Sequence, residues 1–162
     1  MLYSKMMKID TAKHSLVLLL TFFLTLLWVN NPLLSRYSLQ LAAGLIIFMI
    51  ISHKIFSSSQ FLLTESTISV TSIVLVTSVT GGIASPFFYL NHFLLFELSF
   101  FLKPSVSLIL TLGLMVFYIY SRQVGTSLYN LLFILSFIFV TPLAYLTRKV
   151  YQKAKKQITI NF

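Results

Sequence analysis

Residues 76 to 102 read VTSVTGGIASPFFYLNHFLLFELSFFL, and they hold most of the chain's chemically interesting side chains. Gly81 and Gly82 can expose backbone N–H groups, because without a Cβ they adopt conformations closed to other residues. Ser85 offers a hydroxyl, and Phe87, Phe88 and Tyr89 offer ring faces. His92 can give or take a proton near neutral pH. Glu97 places a carboxyl inside an otherwise apolar run. Five positions put His92 and Glu97 about 140° apart around a helix, so they form no local pair. Tyr89, His92, Phe96 and Ser99 share one stripe; Leu90, Phe93, Glu97 and Phe101 share another.

The elements that must carry these groups follow from composition. Hydrophobic residues make up 57% and charged residues 9% of the 162 positions, with a mean hydropathy of +0.92. These values exclude an ordinary soluble domain and predict an all-α, polytopic membrane protein. Polar punctuation divides the chain into six apolar segments: 14–29, 37–52, 67–80, 87–102, 105–120 and 127–147. They form one membrane domain over 1–162, with a basic tail at 148–162. Several segments are short for a full span, which flanking Trp, Tyr and Lys and local bilayer thinning can accommodate. Trp28-Val29-Asn30-Asn31-Pro32 reads as an interfacial turn, and the first segment as a retained helix. No cysteine is present, which excludes disulfides and thiol chemistry.

Ten of the twelve basic residues fall on one side if the N-terminus is cytoplasmic: Lys5, Lys8, Lys13, Lys54, Lys103, Arg148, Lys149, Lys153, Lys155 and Lys156, against Arg36 and Arg122. The split predicts both termini inside. It also accounts for the net charge of +9 through topology and anionic headgroups. Nucleic-acid binding is not expected, because the basic residues are divided among four segments. The turn at 81–87 then lies on the outer face of a multi-pass protein of the cell membrane, of the bacterial inner-membrane type.

Two accounts of that turn are open. In one it is a tight helix hairpin, with glycine closing one helix, Ser85 capping the next and Pro86 at its first position. In the other it is a site. The second draws on a resemblance: Gly81-Gly82-Ile83-Ala84-Ser85-Pro86-Phe87 resembles the GG-x-x-N-P-F heptapeptide between helices three and four of RegB-type, quinone-responsive sensor histidine kinases. Ser85 stands where the redox-sensing branch has Asn. The resemblance implies a six-helix sensor domain. It also implies a quinone, or another lipophilic ligand, at Gly81, Gly82, Ser85, Pro86 and Phe87, with Tyr89 and His92 beneath. No phosphoacceptor helix or ATP-binding glycine box occurs in the sequence, so the chain is expected to be a sensory module without the kinase part. Its expected partners are the bilayer and either a separate signalling protein or a second copy.

His92 has an ordinary account as a neutral interfacial ring, and Glu97 as a protonated acid bonded to a Ser or Thr of a neighbouring helix. Ser69, Thr71, Ser72, Thr77, Ser78 and Thr80 mark the third segment as a closely packed, central helix. Pro142 is expected to kink the sixth. His14 and His53 sit beside Lys13 and Lys54, where interfacial solvation is expected. No metal-ligand or hydrolase motif is present, and the three acids are Asp10, Glu65 and Glu97; no catalytic or metal site is expected. Two other functions fit the architecture. One is a small transporter substrate-binding subunit, with a polar cavity drawing on Asn91, His92, Gln40 and Asn130. The other is a structural membrane protein with no small ligand.

Overall fold

The computed structural model describes the backbone of residues 2–52, 54, 58–121 and 127–160, and the side chains of 12–52, 54, 63–121, 127–155 and 157. His53, Ser57 and Arg122, and the side chains of Lys5, Lys8, Asp10, Lys156 and Ile158, lie outside the described residues. The regular structure of the described residues is all helical, with no strand. The helices are α1 (Leu2–Asn30), α2 (Pro32–Ser35), α3 (Ser38–Ser52), α4 (Ser58–Val79), α5 (Leu90–Phe101), α6 (Pro104–Tyr120), α7 (Leu128–Leu135) and α8 (Phe137–Ile160), with a 3-10 turn at Gly82–Ala84.

Punctuation in the sequence maps onto real helix ends in some places and misleads in others. Asn31 caps α2, its Oδ1 accepting from the Leu33 and Leu34 N–H groups at 3.0 and 3.3 Å, with Pro32 at the first helical position. The helix α4 starts nine residues before the expected Thr67. The Ser66 and Thr67 hydroxyls at the expected start donate to the Leu63 carbonyl and Thr71 donates to that of Thr67, so these groups are satisfied within a helix that runs through them. The helix α5 starts three residues later than expected, because residues 86–89 make successive i→i+3 turns before the α-helix sets in. The sixth segment is interrupted at Ser136, whereas Pro142 remains inside α8.

Side-chain contacts fix how the helices run past one another. Phe22 of α1 packs on Gly113 of α6, and these two helices are parallel. His14 Nε2 lies 2.9 Å from Ser66 Oγ of α4, and Trp28 Nε1 donates to Ser38 Oγ of α3 at 3.2 Å. Thr141 of α8 meets Thr111 of α6 at 2.6 Å and Ser99 of α5 at 3.5 Å. Arg148 Nη1 donates to the Leu102 carbonyl at 2.8 Å. Together these contacts set Lys13, Lys54, Lys103 and Arg148 at one end of the bundle, and Arg36 and the 81–87 turn at the other. The ordinary solvation expected of His14 is replaced by an inter-helix hydrogen bond.

The helix α4 is central, packed by α1, α3 and α5, with Val79 its exposed described residue. Its small side chains permit close neighbours on every side. By contrast α3 buries Ser38, Ala42 and Ser52 and exposes Ile46, Ile47, Phe48, Ile50 and Ile51. Large exposed apolar side chains also run along α1, α6 and α8. Among the described residues two stretches are long and apolar enough to cross a membrane, Ala12–Asn30 and Leu128–Lys155; the shorter apolar stretches are Ser38–Ser52, Leu63–Val79, Leu90–Phe101 and Pro104–Tyr120.

Candidate functional site

The turn between α4 and α5 is held together by its own polar groups. Gly81 has φ 124° and Gly82 φ 62°, conformations that side chains disfavour. Thr80 Oγ1 donates to the Val76 carbonyl at 2.7 Å and lies 2.6 Å from Ser85 Oγ. With the Thr80 proton directed to Val76, Ser85 is the donor of that second bond. Ser85 Oγ in turn accepts the Phe87 N–H at 3.0 Å. The buried Ser85 hydroxyl is therefore engaged on both sides by the hairpin. Gly82 and Ile83 are also buried, while Gly81, Ala84, Pro86 and Phe87 are exposed.

This turn drives Phe88 into the bundle, where it is 1% exposed. Its ring contacts those of His92 at 5.5 Å, Tyr118 at 5.2 Å, Phe133 at 6.0 Å and Phe137 at 5.6 Å. The edge contacts with Tyr118 and Phe133 add about 0.5–1.5 kcal/mol per pair beyond area burial. Phe88 thus joins the hairpin to α5, α6, α7 and α8 at once. Beneath it the Asn91 amide donates to Thr77 Oγ1 at 3.3 Å and to the Phe88 carbonyl at 2.9 Å. The Tyr118 hydroxyl lies against both Thr77 and Asn91, without an aligned hydrogen bond.

On the other side of this cluster a groove of about 360 Å³ opens between α5 and α7, lined by Tyr89, His92, Tyr129, Leu132, Phe133 and Ser136. Tyr129 and Phe133 rings meet at 4.6 Å, and Tyr89 and Phe133 at 6.1 Å. His92 Nε2 lies 2.7 Å from Ser136 Oγ. Ser136 gives its proton to the Phe133 carbonyl, which makes Nε2 of His92 the donor and fixes the imidazole tautomer. Nδ1 is buried with no partner among the described residues.

Of the residues singled out from sequence, Tyr89 and His92 come together in the groove. Gly81, Gly82, Ser85, Pro86 and Phe87 do not line it. The lining residues of α7, Tyr129, Leu132, Phe133 and Ser136, carried no sequence signal, since aromatic and hydroxyl residues are ordinary in apolar helices. Glu97 departs from its expected place: it is exposed, on the stripe with Phe93 and Phe101, and no interior hydrogen bond forms. Ser99, on the His92 stripe, faces α8 instead. Asn91 turns into the core and Gln40 is exposed on α3, so the polar cavity imagined for a transport subunit is not assembled from them.

A second groove of about 260 Å³ lies between α1, α3 and α4, lined by residues that include Thr21, Thr25, Trp28, Thr67 and Thr71. The four threonines donate to their own helix carbonyls. No donor hydroxyl is left for a ligand, and the groove is chemically apolar. Among the described residues no group of three or more His, Cys, Asp or Glu could hold a metal. Comparison with protein-family models, curated proteins and solved structures gives no match for this chain.

Proposed function

We propose that the chain is a six-span membrane protein with both termini cytoplasmic, working as a ligand-responsive sensory module without catalysis of its own. Its ligand is a flat, ring-headed lipophile of the quinone class, taken into the groove between α5 and α7. The membrane reading is supported by two span-length apolar stretches, by apolar side chains exposed on several helices, and by basic residues gathered at one end. The helices α3 and α6, at about 22 and 26 Å, fall short of a hydrocarbon core of about 30 Å, a mismatch that local thinning accommodates.

The observation that carries the sensory reading is the position of the groove. It lies at the interruption between α7 and α8, and the His92–Ser136 hydrogen bond crosses it. Tyr89, Tyr129 and Phe133 offer ring faces to a planar headgroup, and the groove is open to a lipid tail. A quinone supplies carbonyl acceptors on such a ring. His92 can then turn its Nε2–H from Ser136 to a carbonyl in the groove, leaving Ser136 bonded only within α7. The joint loosens from α5, and α8 carries the change to the basic end of the bundle.

A structural role without a small ligand is the second reading, favoured by the complete internal use of the Thr80 and Ser85 hydroxyls. Equilibrium binding of a radiolabelled short-tailed quinone to the protein in lipid nanodiscs separates the two. Saturable binding weakened about fivefold by His92→Ala, the worth of one neutral hydrogen bond, is expected. Binding no greater than to protein-free discs would leave the structural reading.

A further inference from the structure

The outward face of α5 carries an acid that has no partner among the described residues. Glu97 is exposed, and its carboxyl makes no hydrogen bond or ion pair with any of them. The helix turns Asn91, Leu94, Leu95, Leu98 and Ser99 inward, and it packs on α4, α6 and α8. The stripe left facing away from the bundle is Leu90, Phe93, Glu97 and Phe101, whose three apolar side chains are exposed at 41%, 73% and 59%. At the helical rise per residue, Glu97 stands about 7.5 Å from Leu102 at the inner end of α5 and about 10.5 Å from Leu90 at the outer end. The neighbouring α8 gives a similar level: Thr141, which meets Ser99 at 3.5 Å, is about 10.5 Å along its helix from Arg148. In a membrane-crossing α5 the carboxyl is therefore at the depth of the acyl chains.

A carboxyl at that depth is costly among lipid tails, and a glutamate is too short to snorkel to the interface as Lys and Arg do. Acids inside membranes pair with donors or cations, and one chain holds no cation for this one. None of the twelve lysines and arginines falls within the six apolar segments, and Glu97 is the one acid that does. His92, the other titratable group of α5, is engaged with Ser136 in the groove. A second copy would set another glutamate or bare hydrocarbon against Glu97, with no lysine or arginine at the matching level. We propose that the face formed by Leu90, Phe93, Glu97 and Phe101 is the docking surface for a membrane-crossing helix of a different protein, one that carries a single Lys or Arg at the depth of Glu97. That cation neutralises the carboxyl, and the apolar side chains on either side of it pack along the partner helix. The surface rests on the membrane reading and does not depend on quinone binding.

The test is energy transfer in liposomes between the labelled protein and labelled polyleucine helices, one series carrying a single lysine at the level of Glu97 and the other leucine there, with alkaline carbonate extraction of cell membranes as its control. Wild-type protein is expected to bind the lysine helix about tenfold more tightly than the all-leucine one. Glu97→Gln, which keeps the size of an exposed side chain, should remove that preference while leaving thermal unfolding unchanged. Glu97→Lys should reverse it, favouring a helix with glutamate at the same level, a gain that misfolding could not produce. Equal binding of the two helices by wild type, or a lysine preference that survives Glu97→Gln, would overturn the docking surface. Energy transfer between two labelled copies of the protein, lost in Glu97→Gln, would also overturn it by assigning the face to self-association. Extraction of the protein by carbonate would instead overturn the membrane reading beneath it.

Discussion

His92 and Ser136, 44 residues apart in the chain, meet through a 2.7 Å hydrogen bond between Nε2 and Oγ. The bond joins α5 to the residue at which α7 gives way to α8. Ser136 is also tied to the Phe133 carbonyl, so one small side chain links the aromatic groove, the helix interruption and the long basic helix.

The first expectation follows from that link. Ser136→Ala should lower stability by about 1 kcal/mol, one net hydrogen bond, and a buried His92 donor left unpaired can raise the loss toward 3 kcal/mol. His92→Ala should cost a similar amount. The double variant should cost much less than the sum, because both substitutions remove the same bond. Unfolding of the purified variants in detergent measures all three; strict additivity would mean that the pair is not coupled.

Gly81 and Gly82 should resist substitution for a conformational reason. At φ 124° and 62°, Gly81→Ala and Gly82→Ala should each destabilise the protein by about 1–2 kcal/mol. Space is not the obstacle at Gly81, where an added Cβ would come no closer than 3.5 Å to the atoms around it. Since neither glycine lines the groove, quinone affinity should be unchanged when measured on the folded fraction. Selective loss of binding with full stability would move the site to the turn.

A tighter constraint lies where α1 crosses α6. A Cβ at Gly113 would stand 2.4 Å from the Phe22 ring, so Gly113→Ala should cost about 1–3 kcal/mol through overpacking. Phe22→Leu, which shortens the opposing side chain, should recover part of that loss in the double variant. Thermal unfolding of the three proteins decides the matter; no recovery would mean that the crossing does not rest on this contact.

Orientation is open to a direct check. Ala84 and Lys103 are both exposed at opposite ends of the bundle. Single cysteines at these positions should behave oppositely in intact cells, Ala84→Cys reacting with a membrane-impermeant thiol reagent and Lys103→Cys remaining protected. The reverse pattern would invert the topology.

Much of the helical scaffold is legible in the sequence, because apolar runs and Gly and Asn-Pro signals act locally; Ser85-Pro86 misleads, since α5 begins only at Leu90 with Tyr89 as its N-cap. Asn31-Pro32 and Gly81-Gly82 fall where the chain turns. The errors come from groups whose meaning depends on distant partners. Thr67 looks like a helix start until its hydroxyl is seen donating to Leu63 within a longer helix. His14 looks solvated until Ser66 approaches it. Glu97 looks as though it must find an interior donor, yet α5 turns Asn91, Leu95 and Ser99 inward and leaves Glu97 outside. The groove was half legible: Tyr89 and His92 stand out near the turn, but Tyr129, Phe133 and Ser136 become its other wall only through the packing of α7 on α5.

The central claim, that the groove between α5 and α7 takes a ring-headed lipophile, is tested most directly by photoaffinity labelling with an azidoquinone in nanodiscs, followed by peptide mapping. Labelling is predicted within residues 89–93 and 129–136, suppressed by excess unlabelled quinone and reduced in His92→Ala. Label confined to the apolar groove of Thr21, Trp28 and Thr71, or spread over the exposed helices and insensitive to competitor, would contradict it.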